Sequence, residues 1–406
     1  MRYFFMAQLA PLMLAGSLQA FAAGPKAGLD SLEFAGAHDQ NTPVLLTPAS
    51  RPVPFRGADG RVHIDYELQV TNARAAPVKL VSLEVLDAAS GKVLATVSGA
   101  DVAGTFSLLG GAAGDSIGAA QAGFFWIDVV LAPGQAIPKA LSHRVVTSGP
   151  EVKLTAAVKT SGDGSVQTTQ TGGNISVSTR PAPLIGPPLE GPGWVAFNGC
   201  CKEVPHRRAG IPVNGVLYVS QRFAIDWIRI DANSQQSNGD SNKNENWPTY
   251  GQKAIAVADA KVVSVLDGLP ERVPNALPPD TTMQNVTGNH VILDLGRGYY
   301  GFYAHLQPGS LKVKVGDRVK RGQVLALLGN SGNTTAPHLH FHVSDGMGPL
   351  SSQGVPYVID SFTARGVATD VTEQGKVVWA PLAQQQATQR STMPMNGYVI
   401  DFPPLK

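Results

Sequence analysis

The stretch VKVGDRVKRGQVLALLGNSGNTTAPHLHFHVSD, residues 313–345, decides how this chain is read. Its first part alternates apolar and polar residues between glycines, the pattern of short strands joined by tight turns. Its last part sets His338, His340 and His342 at alternate positions. A strand sends alternate side chains to one face, so three imidazoles are presented together. That arrangement suits a metal, because neutral imidazole is a good zinc ligand and a catalytic zinc site needs about three protein ligands plus an open position. A carboxylate and further histidines must come from elsewhere, and Asp226 in QRFAIDW and His305 in YAHLQ are the candidates.

Outward from that stretch the chain stays strand-like over residues 195–365, with GVLYVSQRFAIDW, AIAVADAKVVSVLDG, GNHVILDLG and GYYGFYAHL. Two polar, turn-rich insertions interrupt it at 231–251 and 269–288, both longer than connections in compact domains usually are. Long irregular loops beside a site often form its walls. Upstream, RPAPLIGPPLEGPGW closes on a proline-rich linker, 181–194, whose prolines favour extended conformations and disfavour a sheet interior. Before it, period-two segments at 61–72, 78–99, 122–133 and 151–162 predict an immunoglobulin-like β-sandwich over 23–180. His63 and His143 lie there singly and read as packing or surface residues. Residues 366–406 form a C-terminal extension that either wraps back on the fold or stays irregular.

The start, MRYFFMAQLAPLMLAGSLQAFAAGPK, carries one Arg, a short apolar stretch and Ala20-Phe21-Ala22, which predicts a secretory signal peptide over 1–22 rather than a buried N-terminal helix. Nothing downstream reads as a membrane span, so the mature protein is expected to be exported, to the periplasm or beyond. At 406 residues the chain is long enough for two domains, each with its own core. A net charge of +2 with no dense Lys/Arg cluster gives no case for nucleic acid. The neighbours Cys200 and Cys201 are the only cysteines. They cannot staple distant segments; a vicinal disulfide, a bond between chains and two free thiols all remain open.

The order AIDW, ADAKVVSV, GNHVILDLGRGY, YAHLQ and then GDRVKRGQVLALLGNSGNTTAPHLHFHV resembles the lysostaphin-like (LytM-type) zinc metallopeptidases, over about residues 200–346. The resemblance implies an all-β chain in which the sandwich precedes a lysostaphin-like β-sheet peptidase domain of the duplicated hybrid motif type. It also implies a bound Zn2+ and hydrolysis of peptide bonds, in most of the family those of cell-wall peptidoglycan. The fragment VKVGDRVKRGQVLALLG also occurs in biotinyl and lipoyl carrier hairpins, but no modifiable lysine stands at its turn. Carried onto this sequence, Asp226 and His340 become metal ligands, while His305 and His338 flank the water and the scissile carbonyl. Zinc lowers the pKa of water and polarises the carbonyl; one histidine takes the proton and the other stabilises the oxyanion.

One position departs from the family. Its usual motif is His-x-x-x-Asp, and four residues before Asp226 stands Arg222, a permanent cation that cannot ligate zinc. His206 is the expected substitute. Asn214-Gly215 is a hairpin signal, folding 206–213 back on 216–223. A two-residue turn sets His206 against Phe223, on the wrong face; a three-residue loop or a bulge sets it across from Arg222. His342 shares the face of His340 and is the runner-up for the third ligand; the rise along the strand places it either behind the ligands, supporting them, or at the rim, where it would meet substrate, while Arg222 binds a substrate carboxylate or pairs with a nearby acid. His290 receives no role.

Three readings follow: an exported zinc endopeptidase positioned by its sandwich, itself a candidate surface for a partner protein; a degenerate peptidase fold that binds cell wall or regulates a partner hydrolase; and a purely structural all-β protein. Retention of Asp226, His305, His338 and His340 together favours the first, because a binding groove alone does not require that set.

Overall fold

Two five-stranded antiparallel sheets share one core in the N-terminal part of the chain. One has the strands Val44–Pro48, Val62–Asn72, Ala122–Leu131 and Phe106–Leu108 in that spatial order, with Phe55–Arg56 also paired to Val62–Asn72; the other has Ser165–Ser176, Ala140–Pro150, Val78–Asp87 and Val93–Ser98, with Ser116–Ile117 also paired to Val78–Asp87. Alternation decides what each strand buries. Ile64, Tyr66, Leu68 and Val70 of Val62–Asn72 enter the core with Phe125, Ile127 and Val129 of the neighbouring strand, opposite Leu80, Leu83, Val85, Leu141 and Val145.

This computed structural model describes residues 40–150, 164–201, 204–383 and 387–404. The leader expected at 1–22 and the strand expected at 151–162 lie outside the described residues. Helical elements among them are short: Ala100–Thr105, Pro205–Arg208 and the 3-10 turn Asn244–Asn246. The molecule is thus nearly all β. No helix of the described residues is long and apolar enough to cross a membrane.

From Leu184 onward a thirteen-stranded sheet dominates. At its centre run Gly191–Phe197, Ile225–Arg229, Leu339–Ser344, Tyr299–Leu306 and Asn289–Gly296, in that order. Ile225, Trp227, Leu339, Phe341, Val343 and Tyr303 point to one face and build the larger hydrophobic core. The residues between them, Asp226, His340, His342, Phe302 and Ala304, therefore share the other face. Trp227, Phe341 and Tyr303 are fully buried, and by area each large aromatic contributes about 1.5–3 kcal/mol. That face fixes the registers Asp226↔His340 and His340↔Ala304.

Two expected boundaries do not match the strands. The proline-rich stretch 181–194 is not a free linker: Leu184–Ile185 pairs in parallel with Val358–Val371, and Gly191–Phe197 lies inside the sheet. Pro192 is tolerated there because the ladder to Tyr398–Phe402 shifts register between Gly191 and Trp194, so its missing N–H falls at an irregularity. The extension expected from 366 is also part of the sheet. Val358–Val371 runs across that position, and Tyr398–Phe402 fits between it and Gly191–Phe197. Period-two segments such as GYVIDFP are too short to reveal which partner they will find.

Candidate metal centre and cleft

Asp226 is the hub. Its carboxylate lies 3.0 Å from His340 Nδ1 and 3.2 Å from His338 Nε2 through Oδ1, and 3.2 Å from His206 Nε2 through Oδ2. Ligand atoms of His206, Asp226 and His340 all fall within 4.8 Å of one another. Asn198, directly after Phe197 in the strand paired with Asp226, donates to Asp226 Oδ2 at 2.8 Å. Nothing in the sequence marked Asn198, since its place depends on a long-range register.

The hydrogen bonds on the far sides of the rings set which nitrogens can face a cation. His206 Nδ1 lies 3.3 Å from the Ala224 carbonyl, a contact only a donor can use, which leaves Nε2 as a lone pair towards Asp226. His338 Nδ1 donates likewise to the Ala336 carbonyl at 2.8 Å, and His305 Nδ1 to the Ser331 carbonyl at 2.7 Å. His340 Nε2 lies 3.0 Å from His342 Nδ1. When His340 carries its proton on Nε2, His342 accepts it and His340 Nδ1 is free as a ligand. Two imidazole lone pairs and a carboxylate then converge, a donor set of N, N and O that suits zinc. Such an arrangement is repulsive without a cation at its centre, so these residues fit the metal.

The electrostatics carry the same tension. Burial alone would raise the Asp226 carboxyl, but the rings of His206 and His338 outweigh it and hold it well below the ordinary range. Burial disfavours the charged forms of His206 and His338, yet the Asp226 carboxylate wins and raises both. His340 is pushed down to about 4 by burial, against the pull of Asp226. His305 falls well below its usual value through burial and the rings of His338 and His340.

The cluster floors a cleft of about 450 Å³ whose walls include Gln221, Leu277, Phe302, His305 and Thr334. Leu277 and Val286 come from the insertion read at 269–288, which does wall the site. His305 stands beside His338 with ring centroids 4.7 Å apart and holds a left-handed backbone, φ 60°. Such a conformation costs a non-glycine residue of order 1 kcal/mol and persists where the surroundings enforce it. Here the enforcing contact is the Ser331 carbonyl. Gly288 makes it possible: φ is +62°, and a Cβ there would meet Ser331 O at 2.1 Å.

Two expected site residues lie elsewhere. Arg222 does not reach the cleft as a substrate-binding group; it is 4% exposed and pairs with Glu67 of the sandwich, Nε to Oε1 at 2.7 Å, with Nη1 on the Gly354 carbonyl at 2.9 Å. A guanidinium so saturated has no donor face left for substrate. Of the two places expected for His342 it takes the one behind the ligands and not the rim: it is 1% exposed beneath Phe302, with Nδ1 3.0 Å from His340 Nε2. His206 arrives by a route the register argument did not contain. The hairpin keeps its two-residue turn, Val213↔Val216, and ends at Ile211↔Tyr218. Pro205 then opens a single helical turn, Pro205–Arg208, that leaves the strand plane and swings His206 to Asp226.

Residues 248–352 match the model of Peptidase family M23. An uncharacterized metalloprotease of Haemophilus influenzae is 40% identical over 79 residues, 18% of this chain and 16% of its own length. Peptidoglycan DD-endopeptidase ShyA of Vibrio cholerae is 43% identical over 56 residues, 14% and 13%, and glycyl-glycine endopeptidase ALE-1 of Staphylococcus capitis 55% over 40 residues, 10% of each. The chain thus spans less than a fifth of the length of these relatives. Among solved structures, the catalytic domain of lysostaphin from Staphylococcus simulans aligns with 40% of this chain and 88% of its own at 21% identity and a TM-score of 0.23. His206 and Asp226 precede the matched segment, while His305, His338 and His340 fall inside it. What the comparisons establish is a match to peptidase family M23 confined to residues 248–352 of this chain.

Proposed function

We propose that the chain is an exported zinc metalloendopeptidase that cuts peptide bonds of cell-wall peptidoglycan. The observation that carries the reading is the convergence of His206, Asp226 and His340, whose ligand atoms lie within 4.8 Å of one another, on the floor of a cleft with His305 and His338 beside them. The relatives named as peptidoglycan and glycyl-glycine endopeptidases supply the substrate class. Export follows from the leader pattern at 1–22 and from that substrate.

In this reading His206, Asp226 and His340 hold the metal, which when bound lowers the pKa of a water and polarises the scissile carbonyl. His305 and His338 do the proton work. Each has its Nδ1 proton engaged by a carbonyl, which leaves Nε2 as the nitrogen able to take a proton from water and return it to the departing amine. Phe302, Leu277 and Val286 give the cleft apolar walls that hold a peptide and thin out bulk water. Zinc content of the purified mature protein, measured together with release of new amines from isolated cell wall, tests the proposal. One zinc per chain with cleavage that a chelator abolishes is expected; a protein free of zinc that binds wall without releasing amines contradicts it.

A further inference from the structure

The strand Val62–Asn72 carries a puzzle on the face that turns away from the sandwich core. Asp65 and Glu67 sit there, 2% and 0% exposed, where a free-standing sandwich would show them to water. Their counter-ions come from far along the chain: Arg207 Nη2 lies 2.9 Å from Asp65, and Arg222 grips Glu67. Burial and the neighbouring Asp128 and Glu67 carboxylates push the Asp65 carboxyl up, and the Arg207 guanidinium opposes them. Arg207 is the residue after His206.

We propose that Asp65 is a positioning residue of the metal centre, holding the helical turn Pro205–Arg208 and through it His206 in ligating position, so that the sandwich is a working part of the site. This inference rests on the metalloendopeptidase reading.

Of the three proposed ligands, Asp226 and His340 are cross-strand neighbours in the middle of a sheet and need no further support. His206 has no such frame. It stands on one isolated turn, and a turn of that length has no stability of its own. On the peptidase side its ring meets the Ala224 carbonyl through Nδ1 at 3.3 Å, Asp226 through Nε2 and the edge of the His340 ring, all contacts of the ring and none of the turn that carries it. The sandwich holds the turn itself. Arg207 bonds Asp65 and the Ile127 carbonyl at 2.7 Å, and Arg208 reaches the Gly104 carbonyl, while on the peptidase side Arg207 also bonds the Cys201 carbonyl at 2.7 Å. Cys200, disulfide-bonded to Cys201, places its sulfur 3.9 Å from Asp65. Downstream, Leu217 and Val219 pack on Phe124 and Trp126 of the sandwich. The segment bearing His206 is therefore moored to the sandwich on both sides, with Asp65 the charged anchor beside the ligand.

The test is a double-mutant cycle on the full chain, because a residue acting through His206 must lose its effect once His206 is gone. Zinc affinity is read by chelator competition for wild type, Asp65→Asn, His206→Ala and the double variant, with thermal midpoints taken in excess chelator to verify the metal-free fold. Asp65→Asn is expected to weaken zinc binding about 10-fold or more, the size seen when a partner of a metal ligand is removed, and to add nothing in the His206→Ala background. The d–d absorption of the cobalt-substituted protein should shift with it. Since Asp65→Asn leaves Arg207 buried without its counter-charge, Asp65→Asn/Arg207→Gln removes both charges and is read the same way if the single variant does not fold. Equal zinc affinity in these variants and wild type overturns the inference, as does a loss of the same size with and without His206. A wild type that takes up no zinc at all is a different result, and overturns the metalloendopeptidase reading itself.

Discussion

Two strands buried on both faces carry ionisable side chains, and they treat them differently. Val62–Asn72 of the sandwich holds His63, Asp65 and Glu67; Leu339–Ser344 of the large sheet holds His340 and His342, with His338 one residue before it. In the first, each charge has its opposite. His63 lies between Asp59 and Asp128 at 3.2 and 2.9 Å, Asp65 meets Arg207, and Glu67 meets Arg222. In the second, three rings, those of His206, His338 and His340, crowd one carboxylate. A saturated set of pairs joins two parts of a chain; an excess of lone pairs around one acid asks for a cation.

The largest expected effect breaks the saturated side. Arg222→Ala strands Glu67 in the interior without a counter-charge, and should cost about 3–5 kcal/mol of unfolding free energy in denaturant titrations run with chelator present. If instead stability is kept and only peptide binding weakens, Arg222 is a substrate group after all. Next comes the frame of the cleft. Gly288→Ala drives a methyl into the Ser331 carbonyl that holds His305, so kcat should fall by about 10-fold or more, equivalent to roughly 1–3 kcal/mol of strain or misplacement, while zinc content stays at the wild-type level. Unchanged kcat would mean that the His305 contact is dispensable.

His342→Ala sharpens the comparison from the unsaturated side. Loss of the partner at His340 Nε2 should weaken zinc binding about 10- to 100-fold in chelator competition, and His342→Gln, which keeps an acceptor, should recover part of it. No recovery would assign His342 to packing against Phe302. The smallest effect is a pH slope. His63 is raised to about 9: burial lowers it, but hydrogen bonds and charge from Asp128 and Asp59 outweigh that. A raised folded pKa gives stability fully present below the unfolded value of about 6.5 and lost as pH climbs through about 9, at most about 1.4 kcal/mol per pH unit. Stability curves of His63→Gln should lack that alkaline loss; a slope identical to wild type would contradict the pairing.

How much of this was legible in the sequence depends on the range of the interaction. Alternation is local, so the all-β class and the shared face of His338, His340 and His342 could be read directly. The place of His206 near Asp226 was expected for want of a ligand at Arg222, yet the path was not, because a bulged hairpin and a helical turn both bring residue 206 back and only Pro205 hinted at the latter. Arg222 looked like a missing ligand or a substrate clamp since its counter-ion, Glu67, lies 155 residues away. Rise per residue alone left His342 either behind the ligands or at the rim, and the choice is made by Phe302, which covers the strand beyond His340. The role of Asn198 and the sheet partners of Tyr398–Phe402 were invisible for the same reason: long-range pairing leaves no local mark.

Zinc stoichiometry in the His206→Ala protein is the most direct measure of the ligand set. Wild type should hold one zinc per chain through dialysis, and His206→Ala should lose it while melting, in chelator, at the wild-type temperature. Full zinc occupancy in His206→Ala would contradict the account, leaving the helical turn Pro205–Arg208 as packing and the metal to other hands.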